Sequence, residues 1–266
     1  MVTPETRPKV HFVGAGPGDP DLMTVKGRRL LEQADTVIYA GSLMHDGMLA
    51  LTKPGAELHN TAKLSLDEFM PIMVAAARAG RKVVRLASGD PAIYGAMGEM
   101  TEWLEREGID YEVVPGVSSF LAAAAALGRE LTVPDVAQSI ILTRTEGRTK
   151  MPEGEQLADL ARHGTTLVVF LSTQVMRMIV AELRTAYPAD TPVAVVYRAS
   201  WPDQKIVRGT LEDIAERVIA EKIAMTAIVI VGPALAARGH KSKLYDSSFS
   251  HMFRHAKSPQ AQSPQA

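Results

Sequence analysis

The stretch "VGAGPGDPDL", residues 13–22, places a glycine-rich turn between an apolar run and a helical-looking segment. A turn of this kind can cradle the pyrophosphate of a dinucleotide, for which the fingerprint is G-x-G-x-x-G. Here Asp19 stands in place of the third glycine. Pro17 removes a backbone N–H that a phosphate would need, and Asp19 and Asp21 add negative charge. We therefore expect no nucleotide phosphate at this turn, which argues against a nicotinamide-dependent oxidoreductase.

Short β-rich runs alternate with helical stretches through most of the chain. Strands are predicted at 9–14, 36–40, 57–60, 82–88 and 111–115, and in a second series at 139–144, 166–172, 192–199 and 226–232. The clearest helix is 66–79, where Ser65 and Glu68 form a capping box and Gly80 follows the apolar stripe. Alternation at this spacing predicts an α/β fold with mostly parallel sheets.

Two α/β domains and a polar tail are the organisation that we predict. The segment "LGRELTVPDVAQS", residues 127–139, lacks clean periodicity and contains a proline, so it is interpreted as the connection between two halves. The predicted ranges are 1–128 for an N-terminal domain, 129–239 for a C-terminal domain, and 240–266 for a basic segment with a disordered tail. The final "SPQAQSPQA" has no apolar cluster to bury, so we expect the tail after about residue 256 to be dispensable.

Composition narrows the class of protein. The 266 residues carry a net charge of −1, which does not indicate a nucleic-acid partner. The chain has no cysteine, which excludes disulfides, thiolate metal sites and a cysteine nucleophile. No apolar run approaches the roughly 20 residues that span a bilayer. We expect a cytoplasmic protein without a membrane partner.

Two more glycine- and proline-shaped loops follow predicted strands. They are "ASGDPAIYG", residues 87–95, and "VPGVSS", residues 114–119. In the first of them we expect Asp90 to cap a helix that begins at Pro91. Because open α/β sheets bind ligands at the carboxyl ends of their strands, we expect all three loops to gather at one ligand-binding edge.

Three segments in this order resemble the motifs of the tetrapyrrole methyltransferase family, the class III enzymes that use S-adenosylmethionine: "VGAGPGDPDLMTVKGRRLLEQADTVIYAGSLM", "RLASGDPAIYG" and "VVPGVSSFLAAAAALGREL". The resemblance covers residues 9–254. It implies the tetrapyrrole methylase fold, two α/β domains with the methyl donor in the trough between them. It also implies that the opening turn faces donor and acceptor and holds no phosphate.

The resemblance carries donor-binding roles onto individual residues of this chain. In the first half these are Pro17, Ser88, Gly89, Asp90, Ile93, Ser118 and Ser119. In the second half they are Leu171, Ala199 and Ala227. A glycine often stands in relatives where this chain has Ser88. S-adenosylmethionine is the implied donor and S-adenosylhomocysteine the product; because the methyl of a sulfonium is already electrophilic, no metal is expected.

The acceptor implied by the resemblance is a small-molecule tetrapyrrole with several carboxylates. Asp19 is our candidate base for a macrocycle proton, and its structural alternative is a helix N-terminal acid. Guanidinium groups pair well with carboxylates, so the substrate-binding candidates are Arg129, Arg144, Arg148 and Lys150, for which a solvated loop is the alternative. Trp103 and Trp201 are expected to pack.

Three later segments point to one branch of the family: "LTRTEGRTKMPE" (142–153), "YRASWPDQKIVRGTL" (197–211) and "KSKLYDSSFSHMFRH" (241–255). They resemble the branch that methylates precorrin-4 at C11 to give precorrin-5 in cobalamin biosynthesis. The alternatives are methylation of uroporphyrinogen III or another precorrin position, methylation of a protein or RNA, and a non-catalytic tetrapyrrole-binding protein. A homodimer is expected from the resemblance and from apolar helical surfaces such as 66–79, which one domain need not cover fully.

Overall fold

The structure, a computed structural model, describes residues 9–147, 149–171, 173–240 and 242–256. The predicted tail after residue 256 and the predicted substrate-binding Arg148 lie outside the described residues. The α/β class expected from the alternating pattern is confirmed, with two five-stranded sheets.

The first sheet contains only parallel pairs. Its strands are β1 Lys9–Gly14, β2 Thr36–Tyr39, β3 Glu57–Asn60, β4 Val83–Ala87 and β5 Asp110–Val114. Their order is β3-β2-β4-β1-β5, with each neighbouring pair parallel. Gly14 at the end of β1 pairs with Ala87 of β4, and Val13 pairs with Val114 of β5. The turns after β1, β4 and β5 therefore leave three adjacent strands at one edge.

The helices of the first half are α1 Val25–Gln33, α2 Asp46–Leu49, α3 Leu66–Arg78, α4 Met97–Arg106 and α5 Ser119–Leu127. The capping box predicted for α3 is present, because the Ser65 N–H donates to Glu68 Oε2 at 2.6 Å. The apolar stripe of α3 is buried in one core cluster with residues of β1, β2, β4 and α4. Uncovered apolar surface on 66–79 is therefore not a reason to expect a homodimer.

The helix expected to begin at Pro91 is a wrong prediction, because α4 begins six residues later at Met97. Asp90 does not cap an α-helix; its Oδ1 accepts from the Ala92 N–H at 2.8 Å within a turn. Tyr94 and Ala96 have φ values of 53° and 48°. Left-handed backbone cannot continue a right-handed helix, so these residues delay its start.

The second sheet is mixed. Its strands are β6 Ile140–Arg144, β7 Thr166–Phe170, β8 Pro192–Tyr197, β9 Lys205–Thr210 and β10 Ala227–Val231, in the order β6-β7-β10-β8-β9. The pair β6/β7 is parallel, whereas β7/β10 is antiparallel. The sequence did not predict β9, in which only Val207 is buried. The helices of this half are α6 Leu157–Ala161, α7 Met176–Leu183 and α8 Ile214–Ala220.

Two compact units can be distinguished by their internal contacts. The first consists of Met1–Gly128, Val195–Val207 and Ile219–Ile228; the second consists of Arg129–Ala194, Arg208–Val218 and Val229–Ala266. The first unit thus contains all of the first sheet and also the turn between β8 and β9. The sequence-based domain ranges 1–128, 129–239 and 240–266 stay a prediction.

Candidate active site

The three turns after β1, β4 and β5 contact one another through their backbones, all within the first unit. Gly16 and Gly89 exchange two hydrogen bonds, with N···O distances of 3.2 and 2.8 Å. A Cβ on Gly14 would lie 2.6 Å from Gly116 Cα. Only glycine permits such an approach. The structure therefore brings together the three loops that the sequence predicted to gather.

Asp90 joins two of these turns with its two carboxylate oxygens. Oδ1 accepts from the Ala92 N–H in its own turn, and Oδ2 accepts from the Gly116 N–H in the turn after β5, at 2.9 Å. Asp90 thus fixes the distance between the loop at 88–93 and the loop at 116–119.

The other predicted donor residues of the first half surround this connection. Ser118 is buried and stands at the N-cap of α5, and Ser119 is the first residue of that helix. Ile93 is half-buried and donates its N–H to the Asp90 carbonyl at 3.2 Å. Ser88 is half-buried on the turn itself, and Gly89 is buried. The donor role of these residues stays a prediction.

In the opening turn, Pro17 is buried and Asp19 is half-buried. Asp19 Oδ1 accepts from the Asp21 N–H at 2.9 Å and caps the 3-10 helix Pro20–Leu22. Asp19 is therefore a helix N-terminal acid, which was its structural alternative. The helix that it caps is a 3-10 helix, and one carboxylate oxygen makes the contact. The base role of Asp19 stays a prediction.

Strained backbone marks several of the predicted donor positions. Eight non-glycine residues of the described chain have positive φ, and five of them coincide with or adjoin a predicted donor residue: Tyr94, Leu171, Arg198, Ser200 and Thr226. Leu171 itself has φ 56° and is 67 % exposed, whereas Ala199 and Ala227 are buried. Such conformations cost of order 1–3 kcal/mol each and cluster at functional sites. This observation is independent of the motifs.

Of the predicted substrate cations, the described residues Arg129, Arg144 and Lys150 belong to the second unit. Arg144 donates from its guanidinium to the carbonyls of Thr145, Thr149 and Lys150 at 3.1–3.2 Å, so it organises its own loop. Lys150 is exposed and Arg129 is half-buried. A substrate role for Arg129, Arg144 and Lys150 stays a prediction, as it does for Arg148.

In the turn between β8 and β9, sequence reasoning assigned a role to Ala199 but missed the contacts of Ser200 and Trp201. Ser200 Oγ accepts from the Asp19 N–H, and Trp201 Nε1 donates to the Pro17 carbonyl. Only the position of both residues within the branch-specific segment 197–211 hinted at their importance. In the part of the chain that the structure describes, we find no group of three or more His, Asp or Glu side chains that could hold a metal ion. The described helices are also too short or too polar to cross a bilayer.

Comparison with known proteins identifies the family. The profile described as Tetrapyrrole (Corrin/Porphyrin) Methylases matches residues 9–215. The chain belongs to this family, as the three loop motifs predicted.

Two curated relatives cover nearly the same length. A cobalt-precorrin-4 C(11)-methyltransferase of Methanocaldococcus jannaschii is 52% identical, over 92% of this chain and 96% of its own. A precorrin-4 C(11)-methyltransferase of Pseudomonas aeruginosa is 51% identical, over 92% of this chain and 98% of its own.

Two solved structures share the fold. A cobalt precorrin-4 methyltransferase matches with a TM-score of 0.85 and 48% identity, over 88% of this chain and 99% of that chain. Uroporphyrin-III C-methyl transferase of Thermus thermophilus, complexed with S-adenosylhomocysteine, matches with a TM-score of 0.74 and 35% identity, over 86% and 99%. The tetrapyrrole methylase fold is therefore confirmed.

Proposed function

We propose that this chain is an S-adenosylmethionine-dependent methyltransferase that methylates precorrin-4 at C11, giving precorrin-5, in cobalamin biosynthesis. The observation that carries the proposal is the identity of about half of all aligned residues, over 92% of the chain, to two relatives named as C(11)-methyltransferases, one of cobalt-precorrin-4 and one of precorrin-4. The segments 142–153 and 197–211, which resemble the C11 branch, support the same substrate position.

The methyl donor is assigned to the loop cluster of the first unit. Support comes from the glycine contacts at Gly14 and Gly116, which let the turns after β1 and β5 pack backbone against backbone, and from the two-turn bridge of Asp90. When bound, S-adenosylmethionine supplies an electrophilic methyl group on a sulfonium. The residues assigned to its binding are Pro17, Ser88, Gly89, Asp90, Ile93, Ser118, Ser119, Leu171, Ala199 and Ala227.

The protein's own contribution to methyl transfer is alignment and exclusion of water. Holding two reactants in line is worth up to about 7–11 kcal/mol of barrier in favourable cases. Asp19, on the turn next to the donor loops, accepts the proton that the macrocycle loses when C11 is methylated. Its Oδ1 is occupied by the Asp21 N–H, so Oδ2 is the oxygen assigned to this role.

The acceptor is a polycarboxylate tetrapyrrole, and Arg129, Arg144, Arg148 and Lys150 are assigned to its carboxylates. The chain is further proposed to act in the cytoplasm as a homodimer with the domain ranges given above. Exposed apolar side chains in the segment 244–253 support self-association, because Met252 and Phe253 are 86% and 85% exposed.

Two measurements test the function. Calorimetry with S-adenosylhomocysteine should show one tight site per chain, and incubation with precorrin-4 and labelled donor should transfer one methyl group to C11. The same reaction with cobalt-loaded precursor decides which form of the substrate is preferred. Product methylated at another ring position, or from uroporphyrinogen III, would assign the chain to a different branch. Tetrapyrrole binding without donor binding would identify a non-catalytic carrier.

A further inference from the structure

The turn between β8 and β9 holds the opening turn at two points. Trp201 Nε1 donates to the Pro17 carbonyl at 2.9 Å, and the Asp19 N–H donates to Ser200 Oγ at 3.0 Å. The two hydrogen bonds lie on either side of Gly18. Both segments belong to the first unit although they are separated by about 180 residues in sequence. A turn that carries Pro17 and Asp19 is thus fixed from outside its own loop.

The indole of Trp201 is itself held in place. Its ring meets the His45 ring edge-on at 4.9 Å, and the Arg198 guanidinium carbon lies 4.8 Å from the indole centroid. Arg198 Nη1 is paired with Asp203 Oδ2 at 2.6 Å. A Cβ on Gly18 would overlap the indole, so only glycine at this position lets the ring reach the Pro17 carbonyl.

The backbone that presents Ser200 is strained. Arg198 and Ser200 have φ values of 45° and 72°. Left-handed backbone is costly for residues with a side chain, and it persists where the surrounding structure fixes it. Here the strained segment places one hydroxyl oxygen on the Asp19 N–H and one indole N–H on the Pro17 carbonyl.

We propose that Trp201 and Ser200 are positioning residues for methyl transfer, which act by fixing the turn Pro17–Asp19. The proposal rests on the proposed function, in which Pro17 lines the donor site and Asp19 faces the acceptor. Ser200 acts through Asp19, and Trp201 acts through the Pro17 carbonyl. Since a misplacement of about 1 Å can cost 10²-fold in rate, loss of either contact is expected to slow the reaction more than it weakens the fold.

The test compares Ser200→Ala and Trp201→Phe with Trp103→Phe. Trp103 is the chain's other tryptophan and also lies against an arginine, Arg106, at 5.5 Å, but it packs on the α3/α4 core. Single-turnover methylation is measured at saturating donor and acceptor, with melting temperature and calorimetric affinity for S-adenosylhomocysteine. We expect the first two variants to lose about 10- to 100-fold in rate. The Trp103→Phe rate should stay within about twofold of the rate of the unaltered protein after correction for folded fraction.

A double variant separates positioning from packing. If Ser200 acts through Asp19, Ser200→Ala should lower the rate of the unaltered protein but change little in an Asp19→Asn background. Independent, multiplicative losses would overturn the proposal, as would rates equal to the control or a fall in rate explained entirely by unfolding. Failure of the proposed function is distinguishable, because then the unaltered protein itself would neither bind S-adenosylhomocysteine nor methylate precorrin-4.

Discussion

At the scale of single residues, Asp19 and Asp90 both lie in turns, but their carboxylates accept different numbers of backbone hydrogen bonds. Each carboxylate oxygen of Asp90 accepts from a different turn, whereas within the described part of the chain the Asp19 carboxylate accepts from one backbone N–H, that of Asp21. The contact between Asp90 and Gly116 could not be predicted from the sequence, because it joins two turns that meet only after folding, whereas the Asp19 cap is local and was the structural alternative for that residue. Among the described residues Asp19 Oδ2 has no hydrogen-bond donor, so it is the oxygen assigned to the base role.

Asp19→Asn tests this difference. The amide oxygen can still accept from the Asp21 N–H, so the melting temperature should change little, and donor affinity should be nearly unchanged. Loss of a general base typically lowers the rate about 10²–10⁴-fold, and single-turnover methylation measures this loss. Asp21→Asn is the matched control, because its side chain is 88% exposed. Normal methylation by Asp19→Asn would leave Asp19 as a structural cap alone.

A second residue-scale effect concerns acid stability. Hydrogen bonds from Lys26 and, to a smaller extent, from Lys9 lower the pKa of Glu112 to about 2. Because the folded-state pKa is depressed, the stabilisation is fully present above the ordinary glutamate pKa and is lost as the pH falls toward 2. Burial lowers the pKa of His11 beside it, which also makes the fold less stable as the pH falls below the ordinary histidine value.

Glu112→Gln should therefore be less stable than the unaltered protein at pH 7, by about 0.5–1 kcal/mol for a half-buried carboxylate paired with exposed lysines. The difference should shrink steadily between about pH 4.5 and pH 2. Denaturant unfolding across this range measures it, with Glu99→Gln as an exposed control. A difference independent of pH would show that the lysine contacts do not stabilise the carboxylate.

At the scale of elements, sequence patterns predicted the regular strands and the clearest helix, and they missed segments with left-handed backbone. The capping box at Ser65 and the parallel strands of the first sheet follow local rules, and nine strands were predicted close to their observed positions. The start of α4 was wrong because left-handed backbone at Tyr94 and Ala96 has no sequence signal in those residue types. Strand β9 was missed because its pairing with β8, rather than its own hydrophobicity, stabilises it.

Replacing either of two glycines with alanine should have opposite effects on stability, because Gly116 lies in the contact between the three turns and Gly98 does not. An alanine Cβ at Gly116 would lie 2.8 Å from Gly14 Cα and closer still to the Gly89 carbonyl oxygen, so Gly116→Ala should cost about 1–3 kcal/mol or more and weaken donor binding. A methyl group added at Gly98, near the start of α4, would meet no atom of the described residues within 4 Å, so Gly98→Ala should stabilise by up to about 1 kcal/mol. Thermal unfolding and calorimetry on both variants check this; equal effects would contradict it.

At the scale of the whole molecule, the C-terminal segment has internal order up to residue 256. Arg254 Nη2 donates to the carbonyls of Leu244 and Asp246 at 2.7 and 2.5 Å. A chain that ends at Ala256 keeps these contacts, so its melting temperature and turnover should equal those of the full chain. A chain that ends at Phe253 loses Arg254 and should melt earlier. If the chain that ends at Ala256 showed a marked loss of melting temperature or turnover, the last ten residues would dock on the protein.

Self-association is the remaining whole-molecule prediction, and the exposed pair Met252 and Phe253 makes it specific. Water contact with two nearly fully exposed large apolar side chains is unfavourable, and burial of such a pair in an interface stabilises by about 25 cal/mol per Å². Replacing both with serine should therefore shift the chain from dimer to monomer in sedimentation at micromolar concentration. Met225→Ser, at a methionine that is 65% exposed in the first unit, is the matched control and should stay dimeric. A monomeric unaltered chain would refute the homodimer, and a dimer that survives the double substitution would place the interface on another surface.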